Sequence, residues 1–324
     1  MNSRGQDTTE TPRDPRNLTF SQASGYEEIP GPLRLGELPK EARTKIWNVF
    51  YENLDQSVDR DLMGYPYLIS PWRDIMSALQ SDYFGLPLDK WDTHLHQTAS
   101  RFRQVRFTDT PKGGEGQFVG QIASELKHYI DNTREFNKVF DLIYFVMRHP
   151  DCPFEFVDAM KEAFEFARLA YVIDKSPPPT IFPAATQEEG EAILESLQAL
   201  RKAGLTGGTE HLRNASESIN DGDWAESIKE SIHAFESVAR TLAPKAKRLE
   251  QVLKSIEKDG ALHRALKDAF VKLYGFASDE PGIRHALLNG DGTDVGMDEA
   301  VFMLGACASF SSYLWRKHLA NMDT

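Results

Sequence analysis

Arg284 and His285 stand side by side in the segment Gly282-Ile283-Arg284-His285-Ala286, between a helix-start signal and a long apolar run. An imidazole titrates near neutral pH and can move a proton, while a guanidinium holds a pair of anionic oxygens in a fixed fork. Together the two types suit chemistry at a phosphate. A bland reading stands beside it: the arginine pairs with Asp279 or Glu280 on the surface, and the histidine is an ordinary satisfied polar residue. Arg148-His149 repeats the dipeptide elsewhere in the chain, so adjacency alone is a cheap pattern.

The elements that must position this pair are legible. Asp279 or Glu280 before Pro281 reads as a helix start, because a carboxylate accepts the free first-turn N–H groups and proline lacks one. Asn289-Gly290 tolerates left-handed backbone angles and stops that helix early. From Met297 the chain is helical again, with Val301, Phe302, Met303, Leu304, Phe310, Tyr313, Leu314 and Trp315 covering more than one face. Such a helix is central to a bundle or shared with a second subunit.

Ahead of it, Lys254, Lys258, Arg264 and Lys267 alternate with Leu249, Val252, Leu253, Ile256 and Phe270. This spacing predicts a pair of amphipathic helices with solvated basic side chains, and RNA, if bound, would lie on that face. The run from Ser100 to Phe107 alternates basic and apolar residues and reads as a solvated face or a phosphate contact.

Other motifs fail on chemistry. His94 and His96 point to different faces of a helix and have no Cys or Asp partner nearby. The glycines of Pro111 to Gly116 lack the preceding strand and following Lys-Ser/Thr of a nucleotide loop. A calcium loop starting at Asn289 would need Gly and Glu where Asp294 and Ala300 stand. No metal ligands and no cofactor are expected, and Cys152 and Cys307 read as separate buried thiols.

The expected fold is mainly α, an N-terminal helical domain followed by a C-terminal helical bundle. Residues 1–17 carry almost no apolar side chains and read as a disordered leader. A helical domain spans 18–174, with a stripe of Ile46, Trp47, Phe50 and Leu54, a loop-rich insert from Met63 to Leu88, and helices over Phe118–Arg148 and Phe154–Ile173 that pack as an antiparallel pair. Lys175 to Thr180, with three prolines, opens a linker and connecting helix over 175–204, and Ile181-Phe182-Pro183 adds one short strand or an anchored linker. The bundle occupies 205–318, with Asp223 capping a helix from Trp224 to Leu242. No apolar run is long enough to span a bilayer and the N-terminus is no signal sequence, so a cytoplasmic protein is expected. Net charge −12 argues against broad nucleic-acid affinity, yet residues 201–324 hold 16 Lys+Arg against 18 Asp+Glu and leave room for a basic face.

Two sets of residues carry a resemblance. In the C-terminal part these are Glu210-His211-Leu212 with Ala215, Asp223 with Ser227 to Ile232, Glu236-Ser237, Leu273-Tyr274-Gly275, and above all Asp279 to Ala286. This region resembles the HEPN-type domain of abortive-infection, phage-defence proteins. Phe20-Ser21-Gln22, Gly25-Tyr26 and the stretch Leu38 to Asn48 with Arg43, Ile46 and Trp47 are similar to the AbiJ N-terminal domain.

The resemblance implies a metal-independent endoribonuclease acting as a homodimer through its C-terminal domain, with Arg284 on the phosphate and His285 as acid/base. It also implies RNA and a phage-derived or defence-system protein as partners. In that family the histidine follows the arginine by a few residues, whereas Asn289, Gly290 and Asp291 occupy those positions here. Neighbours on a helix point about 100° apart, which keeps open a non-catalytic HEPN-type module that dimerises and binds RNA, a nucleotide or a protein.

Overall fold

The computed structural model describes residues 20–27, 33–60, 62, 66–85, 121–244, 249–258, 262–279 and 295–322, and within them the fold is mainly helical. The leader 1–17, the His94/His96 pair, the 100–107 and 111–116 stretches and residues 280–294 lie outside the described residues.

A first set of elements comprises α1 (Phe20–Ala23), α2 (Lys40–Gln56), the hairpin β1 (Val58–Arg60) with β2 (Pro66–Leu68), α3 (Trp72–Ala78) running on as a π turn to Tyr83, α4 (Gln121–Asn132), α5 (Phe136–Met147) and α6 (Phe154–Phe166). Helix α2 buries Ile46, Phe50 and Leu54 at helical spacing, and Trp47 joins them in the core. Phe50, Trp72 and Phe156 meet edge to face at its centre, with centroids 5.0–6.3 Å apart. Arg43 is buried too, its Nε donating to Leu38 O (3.0 Å) and Nη1 to Ile130 O. This ties α2 to the carbonyl end of α4, and burial lowers the pKa of the guanidinium against the opposing charge of Asp131.

Two expectations are corrected here. The helix read over Phe118–Arg148 is two, α4 and α5, parted at Thr133 to Glu135, where Glu135 is extended. No glycine or proline marks the break. The helix read over Phe154–Ile173 ends at Phe166, where Arg168 takes φ 54°, and Tyr171–Asp174 becomes strand β3. Tyr171, Val172 and Ile173 favour an extended backbone once the other side is covered, and β4 (Thr180–Pro183) pairs with β3 antiparallel, Ile173 opposite Ile181. Helix α6 consequently packs mainly on α2 and β3, not as an antiparallel mate of α5.

The second set comprises α7 (Gln187–Lys202), α8 (Thr206–Asn220), α9 (Trp224–Leu242), α10 (Leu249–Lys258), α11 (Arg264–Asp279) and α12 (Met297–Met322). The hydrophobic core changes hands inside β4: Ile181 belongs to the first cluster and Phe182 to the second, where α7 also buries Ile193, Leu197 and Leu200. Helix α12 packs on α7, α8 and α9, the central position its apolar pattern suggested. Asp223 Oδ1 accepts from Glu226 N (3.0 Å) and caps α9 as expected. Phe235, Phe270 and Phe310 lock α9, α11 and α12 together, Phe270 and Phe310 stacking at 3.6 Å. Asp279, read as a helix start, is instead the last residue of α11.

Candidate functional site

Arg284 and His285 lie outside the described residues, in the connection from α11 to α12. The four basic residues assigned to RNA are placed. Lys254 and Lys258 point to solvent from α10, opposite its buried Val252, Leu253 and Ile256. Arg264 opens α11, well exposed and 3.8 Å from Asp268. Lys267 is different. It is largely covered and sits between Glu257 (2.7 Å) and Asp268 (3.4 Å), whose bonds raise its pKa and clamp α10 to α11. Its charge is matched within the protein, so the solvent-facing cations are Lys254, Lys258, Arg264 and the exposed Lys272.

Arg148-His149, the other Arg-His pair, is described. Arg148 lies over the Tyr144 ring (4.2 Å), donates to Pro179 O (3.1 Å) and pairs with Glu217. It joins α5 to α8 and also lines the cleft beside it.

Beside it a cleft of about 640 Å³ opens between the two sets of helices, lined by Phe140 and Tyr144, by Asp82, Asp141, Glu217 and Asp221, and by Arg148 and His149. Burial raises the Asp221 pKa, and repulsion from Asp141 and Glu217 raises it further. Four carboxylates outnumber Arg148 and His149 here, and Arg148 is already paired with Glu217, so the cleft is a poor seat for phosphate.

A third constellation joins α8 and α9. His211 Nδ1 donates to Glu230 Oε2 (2.8 Å), Asn214 Nδ2 donates to the same oxygen (3.2 Å), and His233 Nδ1 is 3.5 Å from Glu230 Oε1. The imidazole centroids are 5.4 Å apart. Burial pushes the Glu230 carboxyl up, but the bonds from His211 and Asn214 and the charge of both imidazoles outweigh it, leaving Glu230 below the usual carboxylate range. The local sequence explains the approach. A Cβ on Gly208 would come within 2.7 Å of Val238, and one on Gly207 within 2.6 Å of Ser237 Oγ. Two glycines thus bring the start of α8 close against α9, and one turn later His211 faces Glu230. Glu230 and His233 share a helix face at i, i+3. That spacing is visible in the sequence; the third member, 19 residues earlier, is brought in only by the α8–α9 hairpin.

No family model, curated protein or solved structure matches this chain.

Proposed function

We propose that the chain is an abortive-infection effector of the cytoplasm whose HEPN-like C-terminal bundle acts on RNA as a dimer, cleaving it without metal. The observation that carries this reading is the exposure of Lys254 and Lys258 on α10 and of Arg264 at the start of α11, since α11 leads directly into the segment that carries Arg284 and His285. Basic side chains there would follow the phosphate backbone. At the scissile step an imidazole takes the 2′-hydroxyl proton as that oxygen bonds to phosphorus. The bond from phosphorus to the 5′-oxygen breaks, and the leaving oxygen takes a proton. A guanidinium holds the non-bridging oxygens, whose charge grows in the transition state. Phe302 and Leu319 are exposed apolar side chains at two separate places on α12 and are the candidate dimer contacts.

A second reading, a non-catalytic module that dimerises and binds RNA, a nucleotide or a protein, is favoured by one observation: Arg284 and His285 are adjacent in the chain, not separated. Incubating labelled RNA with wild type, Arg284→Ala and His285→Ala, with and without chelator, separates the two. Chelator-resistant cleavage lost in both variants supports the nuclease. Binding without turnover supports the module. Mass in solution, with Phe302→Asp as the disrupting variant, tests the dimer.

A further inference from the structure

We infer that His211, Glu230 and His233 form a binding site for a divalent transition-metal ion of the zinc type. Each residue offers one ligand atom, and these atoms all lie within 4.8 Å of one another. Ligands about 2.0–2.1 Å from a tetrahedral ion stand roughly 3.4 Å apart, so side-chain rotation alone brings the set together. The backbone already does the harder part: Glu230 and His233 project from one face of α9, and the close packing of α8 at Gly207 and Gly208 supplies His211 from across the groove.

The donor chemistry is selective. Two imidazoles and one carboxylate suit zinc and its neighbours and are poor for calcium or magnesium, which prefer oxygen. Glu230 is well covered at 13% exposure, whereas His211 and His233 are about a third exposed. An ion can therefore enter from solvent and keep water on its open side. Asn214 holds the carboxylate from behind with its amide N–H, the kind of outer contact that orients a ligand. The nearby cations have closer partners: Lys229 is held by Glu226 (2.8 Å), with Glu230 a lesser influence on its charge, and Arg213 by Glu210 (2.8 Å). In the metal-free form His211 Nδ1–H donates to Glu230; to bind through that nitrogen the neutral ring must carry its proton on Nε2 instead.

This departs from the expectation of no metal drawn from the sequence, which weighed the His94/His96 pair and the loop from Asn289 but not this cluster. It rests on nothing in the nuclease reading, since the ion would brace α8 against α9 and take no part in cleavage. The site is also independent of Arg284 and His285.

Untagged full-length protein is titrated with Zn²⁺ by calorimetry and with Co²⁺ by visible absorption. One ion per chain is expected, with the intense visible bands of four-coordinate cobalt, displaced by zinc. Glu230→Gln and His233→Gln, which preserve size and polarity, should weaken binding by at least about 10-fold, and Asn214→Ala by about 10-fold. Equal affinity in wild type and both ligand variants overturns the proposal. So does wild-type protein that gives only the weak spectrum of hydrated cobalt, a result that needs no variant to fold.

Discussion

Tyr144 and Ile181 exchange two hydrogen bonds: the Ile181 N–H donates to the phenolic oxygen (2.7 Å), and the phenol donates to Ile181 O (3.2 Å). The same carbonyl accepts from Ser216 Oγ (2.7 Å) and Asn220 Nδ2 (3.0 Å) on α8. One phenol on α5 thus closes the backbone of β4 at the residue where the core passes from one cluster to the next. Tyr144→Phe leaves the covered Ile181 N–H without its acceptor, and the expected loss is about 1–3 kcal/mol. Urea denaturation followed by circular dichroism measures it; a change below a few tenths would mean that water replaces the phenol.

Gly190, on the inner face of α7, predicts an overpacking effect. A Cβ there would lie 2.4 Å from Val172 Cγ1 and 3.3 Å from Ala184 Cβ. Val172 is β-branched and stiff at χ1, so it cannot swing clear. Gly190→Ala should cost about 1–3 kcal/mol despite alanine's better helix propensity. Adding Val172→Ala should recover most of that loss, and the coupling is read from the four members of the double-mutant cycle.

Two carboxylates give opposite pH dependences. The folded-state pKa of Glu230 lies below its ordinary 4.5, so the stability it contributes is present above that pH and is lost as pH falls through the folded value. Glu230→Gln should flatten that acid limb. Asp221, in the acidic rim of the cleft, has a folded pKa above its ordinary 3.8. Its proton is held more tightly in the folded state, so stability falls as pH rises from 3.8 through the folded value. Asp221→Asn should therefore raise the urea midpoint at pH 7 and change little at pH 3. A lower midpoint at pH 7 would contradict the burial cost of Asp221 and its repulsion by Asp141 and Glu217.

Periodicity read the bundle well because α7 and α9 each bury an apolar face and end on clear signals, such as Asp223 before α9 and Gly204 at φ 71° after α7, while α12 is apolar on more than one face. It failed where tertiary cover decides conformation. Tyr171 to Asp174 fits the α6 pattern, but pairing with Thr180 to Pro183 makes it a strand. Arg43, singled out by resemblance, proves to be an internal tie between α2 and α4. Among the basic residues, composition could not separate Lys254, free to face a phosphate, from Lys267, already held by Glu257. The His211–Glu230–His233 cluster was hidden for a simpler reason: it needs two helices.

Asp174 and Arg201 supply the last prediction. Asp174, at the end of β3, is buried, and both of its oxygens accept from Arg201 on α7, with Ser176 Oγ taking a further Arg201 bond at 2.8 Å. This pair fastens the hairpin to the first helix of the second cluster. Removing one partner of a covered ion pair usually costs about 3–5 kcal/mol, because the other charge stays desolvated. Arg201 keeps about a quarter of its surface in water, which softens that penalty, so Asp174→Ala should fall near 3 kcal/mol. Replacing both by apolar residues, Asp174→Leu with Arg201→Met, removes both desolvated charges and should cost less than Asp174→Ala alone. Chemical denaturation of the two variants decides it, and a double variant less stable than the single would mean that the pair contributes a net attraction well beyond its own desolvation.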